Sequence, residues 1–216
     1  MFMNTVQVNT VQEVLLSSFA PTHQRFYLAD VWERSVARDV ALVLGGTGFI
    51  TLCAFVIIPL PFTPVPVALS TFAVLATGAA LGALRGALSA ALYMVIGALG
   101  APVFAGGQSG VMIPTFGYVI GFVIAAALVG RLARHRADRK IGTTLATGAL
   151  GSIVLYLCGV PWLAVSLDID LGQAIMLGVV PFLIGDALKV LALAGILPSA
   201  WRLVDKTRPE SKRDRL

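Results

Sequence analysis

The sequence predicts an all-α, polytopic membrane protein with six transmembrane helices and both termini in the cytoplasm. Three observations predict it. The 216-residue chain is 57% hydrophobic and only 12% charged, against about 25% charged in a soluble domain. Its apolar residues gather into six segments of 15 to 21 residues, a length suited to about 30 Å of hydrocarbon, with the third segment short. Apart from Lys189, Lys and Arg are confined to the two ends of the chain and to alternate connections, and cytoplasmic loops are the ones that carry an excess of basic residues. The apolar runs are far too long for the strands of a β-barrel.

Residues 1–36 mix polar and apolar side chains without the basic start, apolar core and small-residue cleavage site of a signal peptide. They are expected to form a cytoplasmic leader. The expected spans are residues 40–60, 66–84, 87–101, 115–132, 143–163 and 181–200, within a membrane unit covering 37–201. Before the last span, apolar residues resume near Leu171, but Gly178 and Pro181 interrupt them. Proline suits a first helical position and not a helix interior. Residues 170–178 therefore read as a short interfacial helix, and Pro181 as the start of the span. A basic cytoplasmic tail, 202–216, follows.

Arg25, Arg34 and Arg38 precede the first span, and Arg85 lies between the second and third. Arg131, Arg134, Arg136, Arg139 and Lys140 lie between the fourth and fifth, and six more basic residues follow the sixth. The connections near 61–65, 102–114 and 164–180 contain no Lys or Arg. The net charge of +5 is thus cytoplasmic loop charge and calls for no nucleic-acid partner.

Asp186 and Lys189 are the charged residues that fall inside a long apolar segment. An ionisable side chain there costs about 2.5–3.5 kcal/mol on insertion scales, so such residues face a cavity or one another. Three positions apart on a helix, they share a face. Side by side they form an acceptor and a cation, suited to a small ligand bearing both N–H donors and a carboxylate. The alternative is an ion pair that only neutralises itself. The expected outward end of this helix places both residues in the outer half of the membrane.

Two connections on the outer side are rich in turn formers: the proline-dense 59–66, stiff and extended, and the glycine-rich 101–114. The second reads equally as a lid over an outward pocket or as an ordinary loop. Ala37, Ala41 and Gly45 make a small-residue stripe at the cytoplasmic end of the first span, a pattern that permits close helix approach. Its target is another span of this chain, favoured on these residues alone, or a separate membrane protein. Cys53 and Cys158 lie in apolar runs and read as small buried hydrophobes, with no disulfide and no metal. His23 and His135 belong to no catalytic or metal constellation. There is no GxxxxGK[ST] phosphate loop, and so no ATP hydrolysis by that route. There is no catalytic set for an enzyme and no evident inverted repeat.

Four stretches in order, TPVPVALSTFA at 63–73, LGAPVFAGG at 99–107, PTFGYVIGF at 114–122 and PFLIGDALK at 181–189, resemble the BioY family, the biotin-specific substrate-binding (S) components of energy-coupling factor transporters. The resemblance covers about residues 36–200. It implies a multi-pass protein of the bacterial plasma membrane with an outward vitamin pocket, no cofactor, and biotin as the transported ligand. It implies as partners a transmembrane coupling protein and two ATP-binding-cassette ATPases. Carried over by position, Asp186 accepts from the ureido N–H groups of biotin, and Lys189 meets the valerate carboxylate or organises that end of the pocket. The loop of Phe104, Gly106, Gly107 and Gln108 closes over the ligand. The stripe of Ala37, Ala41 and Gly45 is then assigned to the coupling protein, against the reading from the residues alone. Ser70 stands where the family usually has Gln. The 106–114 loop is shorter than in many members and lacks their Gly-Pro-Thr-Gly-Gly ending. The competing functions are an S component for another vitamin and a standalone carrier using Asp186 as its coupling carboxylate.

Overall fold

The computed structural model describes residues 27–31 and 35–206. Most of the leader and the end of the basic tail lie outside these. Helix α1, Val36–Ala54, starts where the Ser35 hydroxyl accepts from the Arg38 backbone N–H at 3.1 Å, satisfying one of the orphan donors of a first turn. The expected first span ran on to residue 60. The chain instead leaves the helix at Phe55 and forms an antiparallel hairpin of β1, Ile57–Ile58, and β2, Val67–Ala68. Four prolines in 59–66 keep this stretch from continuing a helix, because each lacks an N–H donor.

Among the described residues, four stretches of helix are long and apolar enough to cross a membrane, and the helices at the expected second and third spans are shorter apolar ones that join directly. Helix α2, Ser70–Leu81, and α3, Ala83–Ala98, are separated by Gly82 alone, at φ +88°. Only glycine adopts that backbone freely. A Cβ there would also meet the Tyr27 ring at 2.6 Å. At about 1.5 Å per residue α2 is about 18 Å long, short of a full crossing. Residues 66–68, expected in this span, are hairpin, and Arg85, expected in the loop, stands in the first turn of α3.

Helix α4, Phe116–Arg134, is the central span, and α5, Ile141–Leu167, packs along it. Asp170 caps the short helix α6, Leu171–Gly178, by accepting from the Gln173 N–H at 3.1 Å. A 3-10 turn at Val180–Phe182 leads into α7, Leu183–Lys206. The short helix before the last span is where the residues predict it. The last helix runs past residue 200, so Arg202 and Lys206 stand on it and not in a tail.

Small and hydroxyl residues hold the bundle together, as expected where lipid offers no hydrophobic drive between helices. A Cβ on Gly78 would lie 2.6 Å from the Ala126 backbone, so α2 and α4 touch main chain to main chain. Between α1 and α3, Thr47 donates to the Ser89 carbonyl at 3.0 Å and Ser89 to the Val43 carbonyl at 3.1 Å. The α1 face that packs is therefore Gly46, Thr47 and Ile50. Ala37, Ala41 and Gly45 are exposed, and a Cβ on Gly45 would meet nothing within 4 Å. This corrects the expectation that the stripe packs within the chain.

The basic end is closed by two clusters. Buried Asp30 meets Arg85 at 3.3 Å, and Asp39 meets Arg85 and Arg38, each at 3.1 Å. Between α4 and α5, buried Asp138 accepts from the Trp201 indole N–H, and Arg139 lies over that ring at 4.0 Å. Burial holds the Asp138 carboxyl above the usual carboxylate range, partly offset by the Trp201 hydrogen bond.

Candidate functional site

A cavity of about 620 Å³, open mouth included, lies at the end away from the basic loops. Short α2 makes room for it: the hairpin and the first turn of α2 enter the bundle where a full-length span would pack. Val65, Pro66, Ser70 and Thr71 thereby reach its wall. Phe182 comes from the 3-10 turn before α7, Asp186 and Lys189 from the start of α7, and Tyr156 and Leu155 from the middle of α5.

The polar wall is a chain of four side chains from three helices. Lys189 Nζ donates to Thr71 Oγ1 at 2.8 Å and to Asp186 Oδ1 at 2.9 Å. Tyr156 donates to Asp186 Oδ2 at 2.5 Å. Asp186 is 9% exposed, so these contacts are made largely out of water, where charge-assisted bonds are strong. Neither charge is saturated. A carboxylate offers about four lone-pair sites and an ammonium three donors, and two of each are used here. The pair does neutralise itself, and it also presents unspent acceptor and donor capacity to the cavity.

The opposite wall is aromatic. Tyr93 stands edge-on to Phe104 with ring centroids 5.3 Å apart and stacks near Phe122 at 6.1 Å, arrangements favoured by the ring quadrupoles. Phe104 is 1% exposed because its ring fills the space a side chain on Gly97 would need. A Cβ there would lie 2.2 Å from it. Gly97→Ala is expected to drive Phe104 out of its seat, a cost of about 1–3 kcal/mol by overpacking. Ligand affinity should fall while helical content by circular dichroism stays at the parent value. Unchanged affinity would show that Phe104 does not shape the site.

Of the residues singled out in the sequence, Asp186, Lys189 and Phe104 line the cavity together, whereas Gly106, Gly107 and Gln108 are not among its lining residues. Those three form a tight turn beside it. Gly106 and Gly107 take positive φ of 69° and 79°, Phe104 N–H donates to the Gln108 carbonyl at 2.9 Å, and the Gln108 side chain accepts from Thr115 at 3.4 Å. Ala105 lines the cavity in their place. Ser70, 2% exposed, is in the wall. Thr71 and three of the chain's four tyrosines, Tyr93, Tyr118 and Tyr156, were not anticipated. Their signal was a phenol placed within an apolar run, a residue whose hydroxyl seeks a partner when buried. The Tyr118 hydroxyl donates to the Gly178 carbonyl at 2.7 Å, which ties α4 to the end of α6. Cys53 and Cys158 are free thiols outside the cavity.

The family model described as the BioY family matches residues 22–206. The chain is 36% identical over 151 residues to the biotin transporter BioY of Thermotoga maritima, covering 68% of this chain and 86% of that protein. It is 40% identical over 129 residues to the probable biotin transporter BioY of Pyrococcus horikoshii, covering 58% and 74%. Among solved structures it resembles the S-component for biotin from an ECF-type ABC transporter, with TM-score 0.69 and 23% identity over 79% of this chain and 95% of that one. That likeness carries the fold, and the family match spans the hairpin, the aromatic wall and the Asp186–Lys189 pair alike. The chain belongs to the BioY family.

Proposed function

We propose that this chain captures biotin from outside the cell as the S component of an energy-coupling factor transporter, and is not an enzyme. The observation that carries the reading is the Asp186–Lys189 pair in the cavity wall, in a chain of this family. Biotin offers ureido N–H donors at one end and a carboxylate at the other, with an apolar ring system between. Asp186 takes a ureido N–H, Lys189 holds Asp186 and turns its remaining donor to the carboxylate of a valerate chain folded back toward it, and Phe104 and Tyr93 face the rings. Gly106, Gly107 and Gln108 act by holding the loop that carries Phe104.

The chain lies in the bacterial plasma membrane with both termini cytoplasmic, the leader 1–36 and the basic segment from 202 on that side. The lopsided distribution of Lys and Arg supports this orientation. A cysteine at position 108 should be labelled in intact cells by an impermeant thiol reagent and a cysteine at 136 should not. The reverse pattern would overturn the outward site.

The energy comes from partners. The chain carries no phosphate loop, so ATP is hydrolysed by partners, two ATP-binding-cassette ATPases reached through a transmembrane coupling protein that packs on exposed Ala37, Ala41 and Gly45. The purified chain alone should bind labelled biotin at equilibrium and hydrolyse no ATP. Absence of biotin binding, or ATP turnover by the isolated chain, would contradict the reading.

A further inference from the structure

We infer that Tyr156 is a specificity-determining residue of this site: its hydroxyl exchanges Asp186 for the ureido oxygen of the ligand, so that the Tyr156–Asp186 pair reads one edge of a cyclic urea. The inference rests on the biotin reading above. A cyclic urea carries, along one edge, an N–H and a C=O that point the same way, with nitrogen and oxygen about 2.3 Å apart by standard amide bond lengths. Such an edge needs an acceptor and a donor side by side. Asp186 Oδ2 and the Tyr156 hydroxyl are 2.5 Å apart, and both residues line the cavity.

The two oxygens of Asp186 are not equivalent. Oδ1 is held by the Lys189 ammonium, which is anchored in turn to Thr71. Oδ2 is held by a neutral phenol, whose hydrogen can swing between two orientations in the ring plane. An arriving N–H takes the place of the phenol at Oδ2, so the carboxylate exchanges one donor for another. The phenol hydrogen turns to the ureido oxygen beside it, and the two protein oxygens relax apart. One hydrogen bond is lost and two are made, with the carboxylate satisfied throughout. Of the other polar groups in the wall, Tyr118 already donates to the Gly178 carbonyl, and Thr71 donates to the Ala68 carbonyl while accepting from Lys189. Tyr156 is the donor held at Oδ2, whereas the Lys189 ammonium stands at Oδ1; without it the ureido oxygen would lie beside Oδ2 with no donor there, an expensive outcome for a buried acceptor.

The test uses the full purified chain and three ligands: biotin, desthiobiotin, which keeps the urea edge, and 2-thiobiotin, which keeps both N–H groups but replaces the oxygen with sulfur, a poor acceptor. Tyr156→Phe should weaken biotin and desthiobiotin by about tenfold and 2-thiobiotin by less than about threefold, the difference being one hydrogen bond. Equal losses for all three would mean that Tyr156 only supports the fold or Asp186, and no loss would mean that it does not touch the ligand; either result overturns the proposal. A second measurement needs no variant. The parent should prefer biotin to 2-thiobiotin by about tenfold or more, and equal affinity would overturn the proposal even if Tyr156→Phe failed to fold. A parent that bound no biotin would instead overturn the biotin reading itself, a result distinct from a parent that binds both ligands equally.

Discussion

Asp186→Asn should weaken biotin binding by about ten- to a hundredfold, the worth of a charge-assisted hydrogen bond of about 1.5–3 kcal/mol. The substitution keeps the shape and one oxygen, which still accepts from Tyr156 or from the ligand. It removes the negative charge and turns half of the acceptor into a donor. It also removes the counter-ion 2.9 Å from Lys189. Lys189→Met should act differently on two ligands, weakening biotin more than a biotin amide, since only the free acid offers a carboxylate. Equilibrium titrations on detergent-purified protein read both effects. If the pair served only to neutralise itself, each single variant would lose yield and thermal stability, because one uncompensated charge would remain in the bundle.

Ala41→Phe combined with Gly45→Leu should abolish ATP-driven biotin uptake in cells while leaving equilibrium binding within about twofold of the parent. Among the described residues nothing occupies this face. Ala37, Ala41 and Gly45 are exposed, and a side chain on Gly45 meets open space. Fold and site should therefore tolerate the bulk, whereas a partner helix brought close by the small residues would not. The neighbouring Gly46→Leu is the contrast. A Cβ there meets the Ser89 hydroxyl at 2.5 Å, so that variant should lose stability and binding together. Normal uptake by the doubly substituted protein would remove the stripe from the coupling interface.

The order of the helices was legible because charges and prolines punctuate the apolar runs. Asp170, Gly178 and Pro181 announce a short helix and a fresh start, and α6 and α7 follow. The one-residue turn at Gly82 was not legible. A break was expected at Arg85, the nearest charge, but Gly82 stands three residues earlier between Leu81 and Ala83, and hydrophobic periodicity does not fix a boundary between apolar neighbours. The hairpin was missed at its edges for the same reason, since Phe55, Val56, Ile57 and Ile58 extend the apolar run of α1 in composition while leaving it in structure.

The site was legible in proportion to what each residue costs to bury. Asp186 and Lys189 stood out because a charge in a span requires a partner. Tyr156 and Thr71 did not, because a phenol or a hydroxyl is tolerated in many helix faces and gains meaning only when three helices bring it to a carboxylate or an ammonium. Gly106 and Gly107 announced a turn correctly by type, yet a turn says nothing about which of its residues points inward. That is settled by the cavity that Gly97 leaves for Phe104.

The most direct test of the central claim is the biotin affinity of the double variant, Asp186→Asn with Lys189→Met, which removes both charges and so leaves no uncompensated ion in the bundle. The account predicts a protein that elutes and melts like the parent but binds biotin at least about a hundredfold more weakly. A well-folded double variant with parental affinity would contradict it, because Asp186 and Lys189 would then be an internal ion pair and not the site.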